Sequence, residues 1–148
     1  MQFLKRFLPS FLVSWLLTFT LASLFHSQYV VNQLVDVGTV VTFDNRLSLM
    51  LGDWLGLLPT YGIIIAVAFL LAFFIAAAIY RKLGKHYIPL FVLAGIASFT
   101  MMLTVIESIM NIHIIAGARG WGFYAQLLAG AVGGFAFANF TKVKIIYK

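Results

Sequence analysis

His26, Glu107 and His113 supply two imidazoles and one carboxylate, a donor set that suits zinc or non-haem iron. The three come from separate stretches of the chain, and no ligand-spacing motif links them, so the sequence predicts no metal site. His26 and His113 are also the one pair of histidines that could face each other at a common depth and hold a b-type haem, the basis of an electron-transfer reading. A lone histidine at the end of an apolar segment is far more often an interfacial side chain, and no cofactor is expected. His86 sits among Arg81, Lys82 and Lys85 and reads as a surface residue. Cysteine is absent, which removes disulfides, thiolate metal sites and cysteine nucleophiles together. With no catalytic constellation in view, the reading leans away from an enzyme.

Glu107 is the one acid inside an apolar segment. Counted from Pro89 it lies about 27 Å along a helix, near the edge of the hydrocarbon and not at its centre. A carboxylate there is costly against lipid, so it should turn to the bundle or to water, with Arg119 at the start of the next segment as partner. Glu107, His113 and Arg119, with Asp53 and His26, make the expected polar cluster at one end of the protein. The sharper alternative is a proton- or cation-binding carboxylate in a small transporter or channel. Ser10, Ser14, Thr18, Ala22 and His26 recur at four-residue steps and would line its path, although such a row drifts by about 40° per step. Most hydroxyls of this kind bond back to their own helix.

These residues are carried on a chain of 148 residues that is 63% hydrophobic and 9% charged, against about 25% charged in soluble domains. The bilayer is its solvent. Four apolar spans are predicted at about 7–27, 61–80, 89–107 and 121–140, and Pro9, Pro59 and Pro89 each stand at a helix start, where a missing N–H is harmless. Between the first two spans, Leu47, Met50, Leu51, Trp54, Leu55 and Leu58 recur with helical period, with Arg46 and Asp53 on the opposite arc. The pattern predicts an amphipathic helix over about 45–58, capped by Asp44, ended by Gly56 to Pro59, and lying in the interface. The stretch before it should extend the first helix and then cross irregularly near Gly38. The fold class is therefore an all-α integral membrane protein: one domain, 1–148, in an antiparallel four-transmembrane-helix bundle with an added interfacial helix.

Lys5, Arg6, Arg81, Lys82, Lys85, Lys142, Lys144 and Lys148 fall on one side of these spans, and Arg46 and Arg119 on the other. Eight against two places both termini in the cytoplasm, in a bacterial inner membrane on this reading. The net charge of +6 sits in short clusters at helix ends, where anionic lipid explains it better than nucleic acid does. Tyr29, Trp54, Tyr61, Trp121 and Tyr124 are assigned to the outer aromatic belt, Tyr80, Tyr87 and Tyr147 to the inner, and Trp15 is the exception. Small residues repeat as Ala125, Ala129 and Gly133, as Gly122, Gly130 and Gly134 with Gln126 among them, and as Ala68, Ala72 and Ala76. Such rows let helices approach closely, inside the bundle or between copies. The functional expectation is a non-enzymatic accessory or scaffold subunit or a homo-oligomer, in contact with membrane lipids or a larger membrane-protein complex.

Overall fold

The computed structural model describes residues 2–112 and 115–146, with side chains over 5–112 and 115–142. It is all-helical: α1 (Gln2–Asp36), α2 (Phe43–Leu57), a π turn (Leu58–Gly62), α3 (Ile63–Leu83), α4 (Tyr87–Met110), a short 3-10 turn (Ala116–Ala118) and α5 (Trp121–Ile146). Among the described residues four helical runs are long and apolar enough to cross a membrane, Lys5–Asp36, Phe43–Leu83, Tyr87–Met110 and Trp121–Lys142. Contacts order the helices α1, α5, α4, α3 around the bundle, with α1 and α3 touching least. Neighbours run antiparallel, so both ends of the chain fall at one, basic end.

Two segments are longer than the spans expected. The 35 residues of α1 make a rod of about 52 Å, against about 30 Å of hydrocarbon. The second correction concerns Gly56 to Pro59, expected to stop a helix: α2 instead runs through the π turn into α3 as one helical segment of 41 residues. Inside such a run Pro59 lacks the N–H that would bond one turn back, and the wider π turn at Leu58–Gly62 is where the helix accommodates it. Thr42, and not Asp44, caps α2, its Oγ1 accepting the Asn45 N–H at 3.4 Å.

α2 lies lengthwise against α1. The paired residues run in opposite directions, Gln28 with Met50, Ser27 with Asp53, Thr20 with Trp54 and Trp15 with Gly62. Its α1-facing side carries Met50, Asp53, Trp54 and Leu57, each half-buried, whereas Leu47, Leu51 and Leu55 of the apolar stripe are exposed. The helix is thus turned with Asp53 inward and Leu47, Leu51 and Leu55 outward.

Aromatic rings fill the centre. Phe73 stacks on Phe137 with centroids 4.4 Å apart and meets Phe91 at 5.7 Å, and Phe69 meets Phe99 at 5.8 Å. Beside them α4 and α5 touch backbone to backbone. A Cβ added to Gly130 would lie 2.5 Å from the Gly95 carbonyl oxygen, one added to Gly95 would strike the Gly130 carbonyl, and one on Gly134 would strike that of Phe91. Gly133 is closed in the same way by the Thr18 hydroxyl of α1 and the Phe69 ring. Backbone cannot move aside as a flexible side chain can, so Gly95→Ala should cost about 1–3 kcal/mol, the overpacking range. A thermal melt of the detergent-solubilised variant checks this. An unchanged midpoint would mean that α4 and α5 separate at no cost.

Candidate functional site

α1 turns its small polar residues inward between Ser10 and Ser27. Ser10, Ser14, Thr18, Ser23, His26 and Ser27 are all buried, while Leu8, Leu12, Leu16 and Leu17 are exposed. A polar group facing hydrocarbon has no partner, so the bundle interior is where such a row belongs. Ser10 and Thr18 bond back to the carbonyls of Arg6 (3.0 Å) and Ser14 (2.7 Å). Ser14 and Ser23 are buried with hydroxyls that have no hydrogen-bond partner.

The polar contacts concentrate in the half of α1 away from the termini. Gln126 of α5, fully buried, donates from Nε2 to the Ala22 carbonyl (3.0 Å) and accepts at Oε1 from the Tyr61 hydroxyl (2.9 Å). One amide therefore ties α5 to α1 and to the π turn. Tyr61 is 1% exposed, which corrects its assignment to the aromatic belt. Because the helix starts at Phe43 and not near Pro59, Tyr61 lies well inside the run. Trp15 donates from Nε1 to the Gly62 carbonyl at 2.7 Å, which accounts for an indole within a span. Trp54 donates to the Thr20 hydroxyl (3.2 Å), and the Ser27 hydroxyl donates to Asp53 Oδ2 (2.7 Å).

His26 accepts the Gly117 N–H at Nδ1 (3.0 Å), so that nitrogen carries no proton. A Cβ on Gly117 would lie 2.6 Å from the His26 Cα, and one on Gly122 would strike the Gly117 carbonyl. The imidazole thus pins the connection before α5 onto α1. That role was invisible in the sequence because His26 and Gly117 stand 91 positions apart. Among the described residues no three His, Asp or Glu side chains gather as a metal site. His113 lies outside the described residues.

Glu107 is exposed near the end of α4, which ends where Asn111, in the left-handed region at φ 52°, donates its N–H to the Glu107 carbonyl (2.9 Å). Arg119 is exposed, and its backbone carbonyl accepts from Gly122 (2.9 Å). These backbone bonds, together with the His26 bond to Gly117, hold the connection. Of the expected cluster, then, His26 and Asp53 engage adjacent positions of α1, His26 bonding Gly117 and Asp53 of α2 bonding Ser27, and Glu107 and Arg119 are exposed at the α4–α5 connection.

The small-residue rows separate by use. Ala129, Gly130, Gly133 and Gly134 of α5 are buried inside the bundle, and Ala125 is half-buried. Ala68, Ala72 and Ala76 of α3 instead line a groove of about 750 Å³ between α3 and α4, with Ala94, Ala97 and Met101 on its other wall. No protein-family model matches this chain, and neither a curated protein nor a solved structure matches it.

The Gln126 bridge yields a quantitative expectation. Interhelical hydrogen bonds in membranes contribute about 0.6 kcal/mol on average and about 1.7 at most. Gln126→Leu, which breaks two, should cost about 1–3 kcal/mol, and Tyr61→Phe less. Because both changes remove the Tyr61 bond, the double variant should lose less than the sum of the singles, as an unfolding titration in mixed micelles would read. Strict additivity would show that the bond contributes nothing.

Proposed function

We propose that this protein is a non-enzymatic helical subunit of the membrane, an accessory or scaffold chain that receives a transmembrane helix of another protein, or of a second copy, in the groove between α3 and α4. The observation that carries this reading is the division of the small residues. Those of α5 are used up inside the bundle, and those of α3 are left on a concave, almost wholly apolar surface. Lipid tails supply no hydrophobic drive for helix association, so a groove lined by alanines, which admits a partner backbone closely, is the kind of surface on which membrane helices pair.

The eight-to-two division of Lys and Arg supports a bacterial inner-membrane placement with both termini in the cytoplasm. On that orientation α2 stands at the outer boundary, its exposed Leu47, Leu51 and Leu55 toward lipid, and Glu107 and Arg119 are presented on the outer face. Native mass spectrometry of gently solubilised, tagged protein should find a defined homo-oligomer or a stoichiometric second chain, and Ala97→Trp, which fills the groove from an exposed position, should release it. A strictly monomeric protein in lipid nanodiscs would count against the proposal.

One observation favours a second reading, a transporter or channel along α1: the two buried hydroxyls without partners, Ser14 and Ser23. Buried polar atoms are normally satisfied, by water if not by protein; nine residues put these two on opposite sides of α1, so a file of water serving both would wind around the helix through the interior. Such a path follows α1 and α5 and bypasses Glu107. Proton flux into liposomes should then fall in the Ser14→Ala, Ser23→Ala variant and be indifferent to Glu107→Gln. Reconstituted protein with no flux above empty liposomes removes this reading.

A further inference from the structure

The sparse contact between α1 and α3 leaves a cavity of about 790 Å³ at the basic end of the bundle, independent of the α3–α4 groove and of the reading built on it. Its apolar wall is aromatic: Phe7 stacks on Phe74 at 5.3 Å and meets Phe137 edge-on at 5.3 Å, with Phe73 and Phe91 completing the wall. Apart from Ala77 and Ala78 of α3, its remaining lining is polar and basic, with Arg6 from α1, Arg81 from α3, and the Tyr80, Tyr87 and Thr141 side chains. The hydroxyls of Tyr87 and Thr141 are hydrogen-bonded to each other at 2.7 Å, and the Tyr80 ring stands edge-on to Tyr87 at 4.8 Å. All four acids of the chain, Asp36, Asp44, Asp53 and Glu107, lie toward the other end of the helices.

We propose that this cavity binds one anionic phospholipid, its phosphate held by Arg6 and Arg81 and the upper part of one acyl chain laid on the phenylalanine wall. Three properties converge on that occupant. Two guanidiniums from different helices match the oxygens of a phosphate, which arginine binds in a bidentate fork. Among the described residues no carboxylate lines the cavity to compete for them. The change from basic mouth to aromatic wall follows the change from headgroup to hydrocarbon, as in basic pockets between membrane helices that hold anionic lipid heads. The volume falls in the range of about 300–1,000 Å³ typical of ligand sites, enough for the head and the start of a chain whose remainder stays in the bilayer. A lipid seated here would join α1 to α3 where the protein itself joins them least.

The test uses the full chain, delipidated in detergent and titrated with phosphatidylglycerol, with phosphatidylcholine of the same chains, and with inorganic phosphate, and read by native mass spectrometry. One phosphatidylglycerol per chain should be retained in preference to phosphatidylcholine, and inorganic phosphate should not displace it. Arg6→Gln with Arg81→Gln should weaken retention by about tenfold or more, the loss of at least one charge-assisted hydrogen bond. Lys82→Gln with Lys85→Gln removes the same charge from exposed residues outside the cavity and should leave retention unchanged. Ala78→Trp keeps both arginines but fills the cavity and should exclude the lipid while circular dichroism stays that of the parent. Equal loss from the arginine and lysine pairs would overturn the proposal in favour of diffuse attraction. Equal retention of phosphatidylcholine, displacement by inorganic phosphate, or full binding by the Ala78→Trp variant would overturn it as well.

Discussion

A membrane bundle has no hydrophobic gain to draw its helices together, because the lipid it displaces is as apolar as the side chains that replace it. What remains is close contact, and here the closest is the backbone of α4 on that of α5 at Gly95, Gly130 and Gly134. With no side chains between them, dispersion acts at the shortest range the chain allows. Gly133, one residue along from Gly134, opens the adjacent face of α5 to Thr18 of α1. A single helix thereby holds two neighbours, and the positions of α1 and α4 follow from where α5 lacks Cβ atoms. The phenylalanines around Phe73 and Phe137 fill the space left over.

Close packing fixes distance but leaves helices free to slide and rotate, and the polar contacts remove that freedom. A Leu-against-Leu contact tolerates a shift of one turn; the bridge from Tyr61 through Gln126 to the Ala22 carbonyl does not, since moving any partner strands a buried amide. The His26 bond to Gly117 does the same for the connection before α5, and the Ser27 bond to Asp53 for α2. All three use one end of α1. Buried polar groups retained to specify one arrangement are best attested in coiled coils, and the geometry here has the same logic: few bonds, each between elements far apart in sequence.

That the chain forms four long apolar helical runs, and that a helix follows the first of them, was legible in the sequence, because apolar length and helical period are local properties. The small-residue rows were legible as rows. Which partner each would meet was not, since that depends on how α5 is rotated about its axis. Pairs such as Ser27 with Asp53, or Gln126 with Ala22, join residues 26 and 104 positions apart, and no spacing rule reaches that far. Asp53 misled for a physical reason. A polar arc on an amphipathic helix is assigned to water by analogy with soluble proteins, whereas against α1 the acid turns in toward Ser27 and leucines turn out. Tyr61 misled through depth, which was counted from Pro59 as though a helix began there.

The weak side of the bundle follows from the strong one. α5 stands between α1 and α4, and because its glycines draw both of them in, α1 and α3 are left to meet across the remaining gap. At the far end that gap is closed by polar bonds through the π turn, Trp15 to Gly62 and Tyr61 to Gln126. Toward the termini ring contacts cross it, Phe7 to Phe74 and Phe11 to Phe73, and past these the helices carry Arg6 and Arg81. Two like charges facing one cavity repel, so the protein alone has reason to keep this seam open, and an anion between them changes the sign of that interaction. On the lipid proposal, the joint that the protein's own contacts leave weakest is therefore the one whose closure depends most on what the surrounding membrane supplies.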